Sequence, residues 1–169
     1  MRLAYTMTEG RGELDPLLHA VSRAAAARGL RLAGIVQINR DRPGARCDMD
    51  ALVLPDGPEL RISQSLGPAA RGCRLDPAGL ETAVAAAEAR LDAGVDLLLV
   101  NKFGKQEAAG RGFRPLIATA LGRGTDVLVG VNALNRDALL EFAGDLATPL
   151  PPRADALLAW IEAPRQGAA

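Results

Sequence analysis

Short apolar runs alternate with helix-length segments along the chain, and this alternation constrains the fold more than any other feature. The apolar runs that predict strands are 3–7, 31–39, 96–100 and 126–131. The segments that predict helices are 15–28, 76–93, 115–121, 136–143 and 153–163. Such alternation is typical of a mostly parallel sheet covered by helices. The most apolar run, 96–100, is predicted to be the central strand.

Asp-Pro pairs mark two of the predicted helix starts, at 15–16 and 76–77. In each pair the aspartate is a suitable N-cap, and the proline suits the first helical turn. Gly29 and Gly94 follow at a helix's length from these starts and predict where the two helices end.

An antiparallel hairpin is predicted to interrupt this α/β order. Residues 51–54 and 59–63 are strand-like, and the Pro-Asp-Gly-Pro tetrad between them favours a turn. A polar turn is predicted at 40–46 and irregular structure at 65–75. The whole chain, 1–169, is therefore interpreted as a single α/β domain that finishes with the helix at 153–163.

Length and charge narrow the classes of function. A chain of 169 residues suits one domain, and Lys plus Arg equals Asp plus Glu at 20 each. The zero net charge argues against general binding to nucleic acid or to anionic membranes, so an anion site must be built locally. No stretch is long enough for a signal peptide's apolar region or a membrane span, which predicts a cytoplasmic protein. Trp160 is assigned to packing of the last helix on the sheet, with a homo-oligomer contact as the alternative.

Ligands of parallel α/β sheets bind beyond the carboxyl ends of the strands, where two loops are candidates. The first loop, 8–14, joins a strand to a helix and offers backbone N–H groups to an anion. Its candidate ligand-binding residues are Thr8, Glu9, Gly10, Arg11 and Gly12. A phosphate loop would continue from the last glycine with Lys and Ser or Thr, but Glu13 and Leu14 stand there. A plain strand-to-helix turn is the alternative interpretation.

The second loop, 101–112, follows the predicted central strand and is rich in charged residues and glycine. Its candidate ligand-binding residues are Asn101, Lys102, Gly104, Lys105 and Arg111. An Asn-Lys pair also opens the guanine-reading loops of GTPases, but Gly104 stands where those loops carry Asp. The position after a central strand favours a polar loop that orients a ligand, and a solvated surface loop is the alternative.

Two cysteines flank the predicted hairpin. Cys47 and Cys73, with Asp48, are candidate metal ligands. A zinc site ordinarily carries more Cys or His at close spacing, and His19 lies apart in the first predicted helix. Buried, reduced cysteines are the alternative interpretation, since no export sequence is recognised.

Three segments carry a family resemblance: Val-Asn-Lys-Phe-Gly-Lys-Gln-Glu at 100–107, Gly-Arg-Gly at 110–112 and Gly-Cys-Arg-Leu-Asp at 72–76. They resemble the bacterial domain-of-unknown-function family 2478, and the likeness spans nearly the whole chain. That family is similar to the thermophile nucleoside-triphosphatase family and to the molybdopterin-guanine dinucleotide biosynthesis protein B family. The resemblance implies a P-loop-NTPase-like three-layer α/β sandwich with an inserted antiparallel hairpin.

The resemblance also bears on chemistry. In the nucleoside triphosphatases the central strand ends in an Asp-Glu pair, which Asn101 and Lys102 replace here, while Gly104 and Glu107 remain. A metal-facing acid is then lost together with the phosphate-gripping lysine, and both changes weaken hydrolysis. The resemblance further implies a link to molybdenum uptake or cofactor supply.

Three functions fit these residues. The leading hypothesis is a non-hydrolytic protein that binds a small anion, either molybdate or a nucleotide-bearing cofactor, in molybdenum uptake or cofactor metabolism. An alternative is a divergent Mg-dependent nucleoside triphosphatase or nucleotide transferase, in which Glu107 is the catalytic base that orients water. A further alternative is a protein-interaction subunit without a small ligand. The sequence leaves open whether the chain is an enzyme.

Overall fold

The computed structural model describes residues 1–67, 69 and 74–164. Its strands are β1 (Leu3–Thr6), β2 (Leu32–Arg42), β3 (Ala45–Val53), β4 (Glu59–Arg61), β5 (Leu97–Phe103), β6 (Asp126–Val131) and β7 (Ala147–Leu150). Its helices are α1 (Leu14–Ala27), α2 (Pro77–Asp92), α3 (Lys105–Ala108), α4 (Arg114–Gly122), α5 (Arg136–Ala143) and α6 (Ala154–Glu162). None of these helices is long and apolar enough to cross a membrane.

The strands form one 7-stranded sheet in the order β4-β3-β2-β5-β6-β1-β7. Strands β2, β5, β6, β1 and β7 are parallel to one another, whereas β3 and β4 are antiparallel to their neighbours. The apolar run at 97–100 lies in β5 at the centre of the sheet, as predicted. Because all carboxyl ends of the parallel strands reach one edge, their following loops meet there.

Helices cover both faces of the sheet and create two apolar clusters. One cluster contains buried residues of α2, α4 and α5, including Leu80, Ile117 and Leu139. The other contains buried residues of α1 and α6, including Leu18 and Leu157. The three-layer α/β fold with an inserted antiparallel hairpin is therefore confirmed.

The antiparallel part is larger than the sequence predicts. The hairpin of β3 and β4 is present, with Ala51 opposite Leu60. The predicted turn at 40–46 is wrong, because β2 continues to Arg42 and β3 begins at Ala45. Cross-strand ion pairs explain the difference: Arg40 and Arg42 of β2 pair with Asp50 and Asp48 of β3 at 2.9 and 3.4 Å.

The two predicted caps differ in outcome. Asp76 is the N-cap of α2, and its side chain accepts a hydrogen bond from the N–H of Ala78, as predicted. Asp15 is not a cap, because α1 begins one residue earlier and encloses it as a buried residue of the first turn. Gly29 and Gly94 follow the ends of α1 and α2 with positive φ, as predicted.

Strand β7 was not predicted. It carries Pro149 and lies at the sheet edge, parallel to β1. An edge strand tolerates a proline because one side of its backbone forms no ladder. The following helix α6 packs mainly on α1 and buries Leu157 and Ile161, while the Arg2 guanidinium lies 4.6 Å from the Trp160 ring centroid.

Candidate functional site

The carboxyl edge of the parallel strands is the place where the two candidate loops converge. The first loop joins β1 to α1, and the second begins in the last residues of β5. These strands are separated by β6 alone, so the first turn of α1 lies above the end of β5. Side-chain hydrogen bonds between α1 and β5 confirm this proximity.

Asp15 is the centre of a buried polar network at this edge. Its carboxylate is 3% exposed. The side-chain amides of Asn101 and Asn39 donate to its two oxygens at 2.9 and 2.8 Å. The ammonium of Lys102 lies 3.4 Å from the oxygen that Asn101 also contacts. A buried carboxylate with this many donors is compensated for the loss of water.

Asn101 connects α1 to two strands. It lies in β5 rather than in the predicted loop, and it is buried. Its side-chain oxygen accepts a hydrogen bond from the backbone N–H of Gln37 at 2.9 Å, while its amide donates to Asp15. Asn101 therefore fixes the first turn of α1 relative to β2 and β5.

Lys102 occupies a strained backbone position. Its φ is 124°, in the region that favours glycine, and the pairing of β5 with β6 shifts register between Asn101 and Phe103. A side-chain residue in such a conformation costs about 1–3 kcal/mol and persists only where surrounding contacts hold it. The ion pair with Asp15 is one such contact, and the Lys102 side chain is still 37% exposed. Its ammonium is thus anchored on Asp15, while part of the side chain lies at the surface.

The loop between β1 and α1 has unused donors. The Thr8 hydroxyl donates to the Gly10 carbonyl at 3.2 Å. Among the described residues, the backbone N–H groups of Gly10, Arg11 and Gly12 donate to no other protein group. Glu9, Arg11 and Gly12 are exposed, and Gly12 has a φ of 79°. Free N–H groups before a helix are suited to bind an anion.

Glu13 folds back over this loop. A Cβ atom placed on Gly10 would lie 2.3 Å from the Glu13 carboxyl carbon and 2.4 and 2.6 Å from its oxygens. The Glu13 carboxylate therefore lies directly against Gly10. It makes no side-chain hydrogen bond to cap α1.

Glu107 is buried within the second loop. The N–H groups of Gly104 and Phe113 donate to its two oxygens at 2.9 and 3.0 Å. Burial raises the pKa of Glu107 above its usual range, although these N–H groups oppose the shift. Phe113 packs in the cluster on the α2 face of the sheet, whereas Asp15 lies on α1. A catalytic role for Glu107 stays a prediction, and its visible contacts organise the loop backbone.

The remaining cations of the second loop lie around α3. Lys105 is exposed at the first residue of this helix. Arg111 is exposed and donates from Nε to the Gln106 side chain at 2.9 Å. Of the predicted residues in this loop, Asn101 and Lys102 contact Asp15 in the first turn of α1. The ligand-binding roles of Gly104, Lys105 and Arg111 stay predictions.

The candidate metal residues lie away from this edge, on the antiparallel strands. Asp48 forms ion pairs with Arg61 at 2.8 Å, Arg42 at 3.4 Å and Arg74 at 3.9 Å. Cys47 is exposed rather than buried, and its thiol donates to Asp41 at 3.1 Å, which raises the pKa of Cys47. Cys73 lies outside the described residues. Within 1–67, 69 and 74–164, no three His, Cys, Asp or Glu side chains are grouped to hold a metal ion.

The sequence analysis missed the role of Asp15 and its partner Asn39. The Asp-Pro pair pointed to a helix cap, which would place the Asp15 carboxylate at the surface. A polar residue at the end of a central buried strand, such as Asn101, requires a hydrogen-bond partner. That requirement is the feature of the sequence that indicates a buried polar network at this edge.

Comparison with protein families gives a match over most of the chain. A model of the family described as "Protein of unknown function (DUF2478)" matches residues 3–160. A stretch of 160 residues is 38% identical to part of a Bradyrhizobium diazoefficiens protein named Molybdenum import ATP-binding protein ModC 2. That stretch is 94% of this chain, and it spans 18% of the ModC 2 protein.

Solved structures share the fold at low sequence identity. A human cancer-related nucleoside triphosphatase has a TM-score of 0.68 and 16% identity, over 98% of this chain and 99% of that chain. THEP1 from the hyperthermophile Aquifex aeolicus has a TM-score of 0.64 and 14% identity, over 96% of this chain and 100% of that chain. The P-loop-NTPase-like fold predicted from the resemblance is confirmed.

Proposed function

This chain belongs to the DUF2478 family, and from that premise we propose that it is a non-hydrolytic, anion-binding domain that serves molybdenum uptake or cofactor metabolism. The ligand is molybdate or a nucleotide-bearing cofactor. It binds at the carboxyl edge of the sheet, between the loop at 8–13 and the end of β5. The domain acts in the cytoplasm.

The Asp15–Asn101–Lys102 network is the observation that carries this proposal. It holds the ammonium of the partly exposed Lys102 at 3.4 Å from Asp15, in the first turn of the helix that follows the loop, and the glycine N–H groups of that loop donate to no described protein group. Backbone N–H groups and an ammonium together supply charge-assisted hydrogen bonds to an oxyanion. Arg11, an exposed residue of the same loop, adds a guanidinium.

The same network opposes magnesium-dependent hydrolysis. A magnesium ion bound with nucleotide phosphates takes one or two carboxylates as ligands. Asp15, the buried carboxylate at this edge, is already compensated by two amides and by the Lys102 ammonium. Glu13 and Leu14 stand where a phosphate loop has Lys and Ser or Thr. The lysine and the hydroxyl with which a phosphate loop holds nucleotide and magnesium are therefore missing from the first loop, and we assign no hydrolytic step to Glu107.

The link to molybdenum is supported by the Bradyrhizobium relative. That protein's name describes molybdenum import, and the stretch similar to this chain is 38% identical to it. Because this chain matches 18% of that protein, we take from its name only the link to molybdenum, and the anion-binding role rests on the residues of this chain.

Titration calorimetry with molybdate, inorganic phosphate and guanosine monophosphate tests the proposal. We expect at least one anion to bind, and we expect Lys102→Met to weaken that binding about tenfold or more, because one charge-assisted contact is lost. Arg23→Met, an exposed residue toward the end of α1, is the control and should bind normally. If none of these three anions binds, the result would favour the protein-interaction subunit. Magnesium-dependent release of phosphate from nucleoside triphosphates that disappears in Glu107→Gln would favour the enzyme.

A further inference from the structure

We propose that the tip of the arm formed by β2 and β3 docks on helix α5 of a second copy of this chain. The arm tip is the turn between the two strands with its flanking cations, Arg42, Pro43 and Arg46. The acidic face of α5 consists of Leu134, Asp137 and Glu141. The inference goes beyond the proposed function, because neither surface contains a residue of the Asp15–Asn101–Lys102 network.

The arm tip extends past the rest of the sheet. Pairing of β2 with β5 ends at Ile35, and pairing of β3 with β4 begins at Asp50. Within the part of the chain that the structure describes, residues 40–42 and 45–48 therefore pair with each other and with no third strand. An exposed ribbon of this kind is open to contact by a neighbouring molecule.

The charges behind the tip are balanced within the chain. Three arginines there form ion pairs with three carboxylates, namely Arg40, Arg61 and Arg74 with Asp48, Asp50 and Glu59. Beyond these pairs, the tip carries Arg42 and Arg46 against Asp41 alone. The end of the arm is therefore positive.

The two arginines of the arm tip have unused donors. The Arg42 side chain is 52% exposed, and it contacts Asp48 from Nη1 alone, at 3.4 Å. Arg46 is exposed and forms no ion pair with a described residue. Because a guanidinium has five N–H donors, most donors of these two side chains have no acceptor among the described residues. Pro43 is exposed between them and adds an apolar surface.

Helix α5 carries the opposite charge without compensation. Asp137 and Glu141 are exposed and lie one turn apart, on one face of the helix. Neither forms an ion pair with a described residue, and the side chain of the adjacent Arg136 hydrogen-bonds to Tyr5. Like charges at this spacing repel and destabilise a helix. A guanidinium placed between them by another molecule removes this repulsion.

Leu134 adds an apolar contact beside these carboxylates. It is 92% exposed, more than any other large apolar side chain among the described residues. The turn that presents it is held by Asn132, whose side-chain oxygen accepts from the backbone N–H and the side-chain amide of Asn135 at 3.1 and 3.0 Å. Protein interfaces combine apolar contacts with a polar rim and are enriched in arginine. Leu134 against Pro43, surrounded by carboxylates and guanidiniums, fits that composition.

The two surfaces lie apart on one molecule, so they meet only between copies. The arm extends from β2 and β3 toward one end of the sheet, whereas α5 lies between β6 and β7 in the chain, toward the other end. Copies that join tip to helix are arranged head to tail. Such an interface generates rings or filaments rather than a closed symmetric dimer.

Sedimentation velocity over a range of protein concentrations tests the contact. At an ionic strength of about 0.02 M, we expect the average mass to rise with concentration past twice the chain mass of 17.6 kDa. At about 0.5 M salt, association should weaken about tenfold or more, because the charges are screened. Two double variants, Arg42→Gln with Arg46→Gln and Asp137→Asn with Glu141→Gln, should each weaken association by a similar factor. Arg23→Gln with Glu88→Gln changes exposed residues of α1 and α2 and should associate like the wild type.

A mixture of the two double variants distinguishes the head-to-tail contact from other modes of association. One variant keeps the acidic face of α5 and the other keeps the arm tip, so equal amounts should form a complex of two chains that grows no further. Unchanged melting temperatures show that both variants are folded. A wild-type chain that stays monomeric at low salt, or that stops at two chains, would overturn the inference, as would undiminished association of either variant. Each of these results leaves the proposed anion site intact, since that site is tested by anion affinity in Lys102→Met.

Discussion

At the scale of single residues, Asp15 has the most demanding environment in the candidate site. It is buried, and three side chains from β2 and β5 converge on its carboxylate, namely Asn39, Asn101 and Lys102. Removing one side chain from a buried polar network lowers the free energy of unfolding, because the remaining side chains lose a hydrogen-bond partner. Asp15 therefore contributes to stability and to the placement of Lys102 at the same time.

Asp15→Asn should lower the free energy of unfolding by about 2 kcal/mol, because an amide cannot accept from both asparagines and does not attract the Lys102 ammonium. Partial exposure of Lys102 keeps the loss below that of a fully buried ion pair. Urea denaturation measures the change. Asp155→Asn removes an exposed carboxylate whose ion pair with Arg153 spans 3.4 Å, and it should cost less than about 0.5 kcal/mol. Equal losses in the two variants would contradict the assigned role of Asp15.

Glu107 gives a prediction about pH. Burial raises its pKa in the folded state, so its contribution to stability is greatest below the ordinary carboxyl pKa and is lost as pH rises through the raised value. The stability of the wild type minus that of Glu107→Gln should therefore increase as pH is lowered across this window. Unfolding curves at a series of pH values measure the difference. A difference that stays constant with pH, or that grows as pH rises, would contradict the effect of burial on Glu107.

At the scale of elements, the pairing of β2 with β5 holds the site together, and Gly34 is its tightest point. Gly34 lies opposite Leu99 with a φ of 108°, and a Cβ atom there would lie 1.8 Å from the Leu99 carbonyl oxygen. The obstacle is backbone of the central strand, which cannot move aside. The position therefore requires glycine.

Gly34→Ala should cost about 3 kcal/mol or more, since β2 must separate locally from β5. Gly122→Ala at the end of α4 is the matched control, because a Cβ atom there meets nothing within 4 Å. That substitution should be neutral or stabilise by up to about 1 kcal/mol. Thermal unfolding of the two variants measures both values, and a tolerated Gly34→Ala would show that the strand pairing is looser than described.

Elements with strong local patterns were predictable from sequence, and elements defined by distant contacts were not. Strand β6 and helix α5 have the predicted bounds, because apolar periodicity and flanking turns delimit them. Strand β7 carries Pro149, and it is a strand because it pairs with β1, which lies far away in the sequence. Strand β2 extends to Arg42 and β3 begins at Ala45. These ends of the two strands depend on cross-strand ion pairs, such as Arg42 with Asp48, that no local pattern predicts.

At the scale of the whole molecule, the fold was predictable, and the contacts at the carboxyl edge of the sheet were not. Alternating strands and helices imply that the loops after parallel strands meet at one sheet edge, and the ends of β1 and β5 do lie at the same edge. The network around Asp15 joins residues from three elements, and single-sequence reasoning cannot specify such pairings. The fold is shared with a human nucleoside triphosphatase and with THEP1, and a shared fold does not by itself assign a function.

The most direct test is the melting temperature with molybdate, phosphate and guanosine monophosphate, measured in a buffer with magnesium and again in excess chelator. It shows whether the carboxyl edge of the sheet binds an anion without a metal. A ligand at about a hundred times its Kd stabilises the folded state by ~2.7 kcal/mol, which raises the melting temperature clearly. We predict a rise with at least one of molybdate, phosphate and guanosine monophosphate that is equal in both buffers and is lost in Lys102→Met. A rise that requires magnesium, or no rise with any anion, would contradict the account.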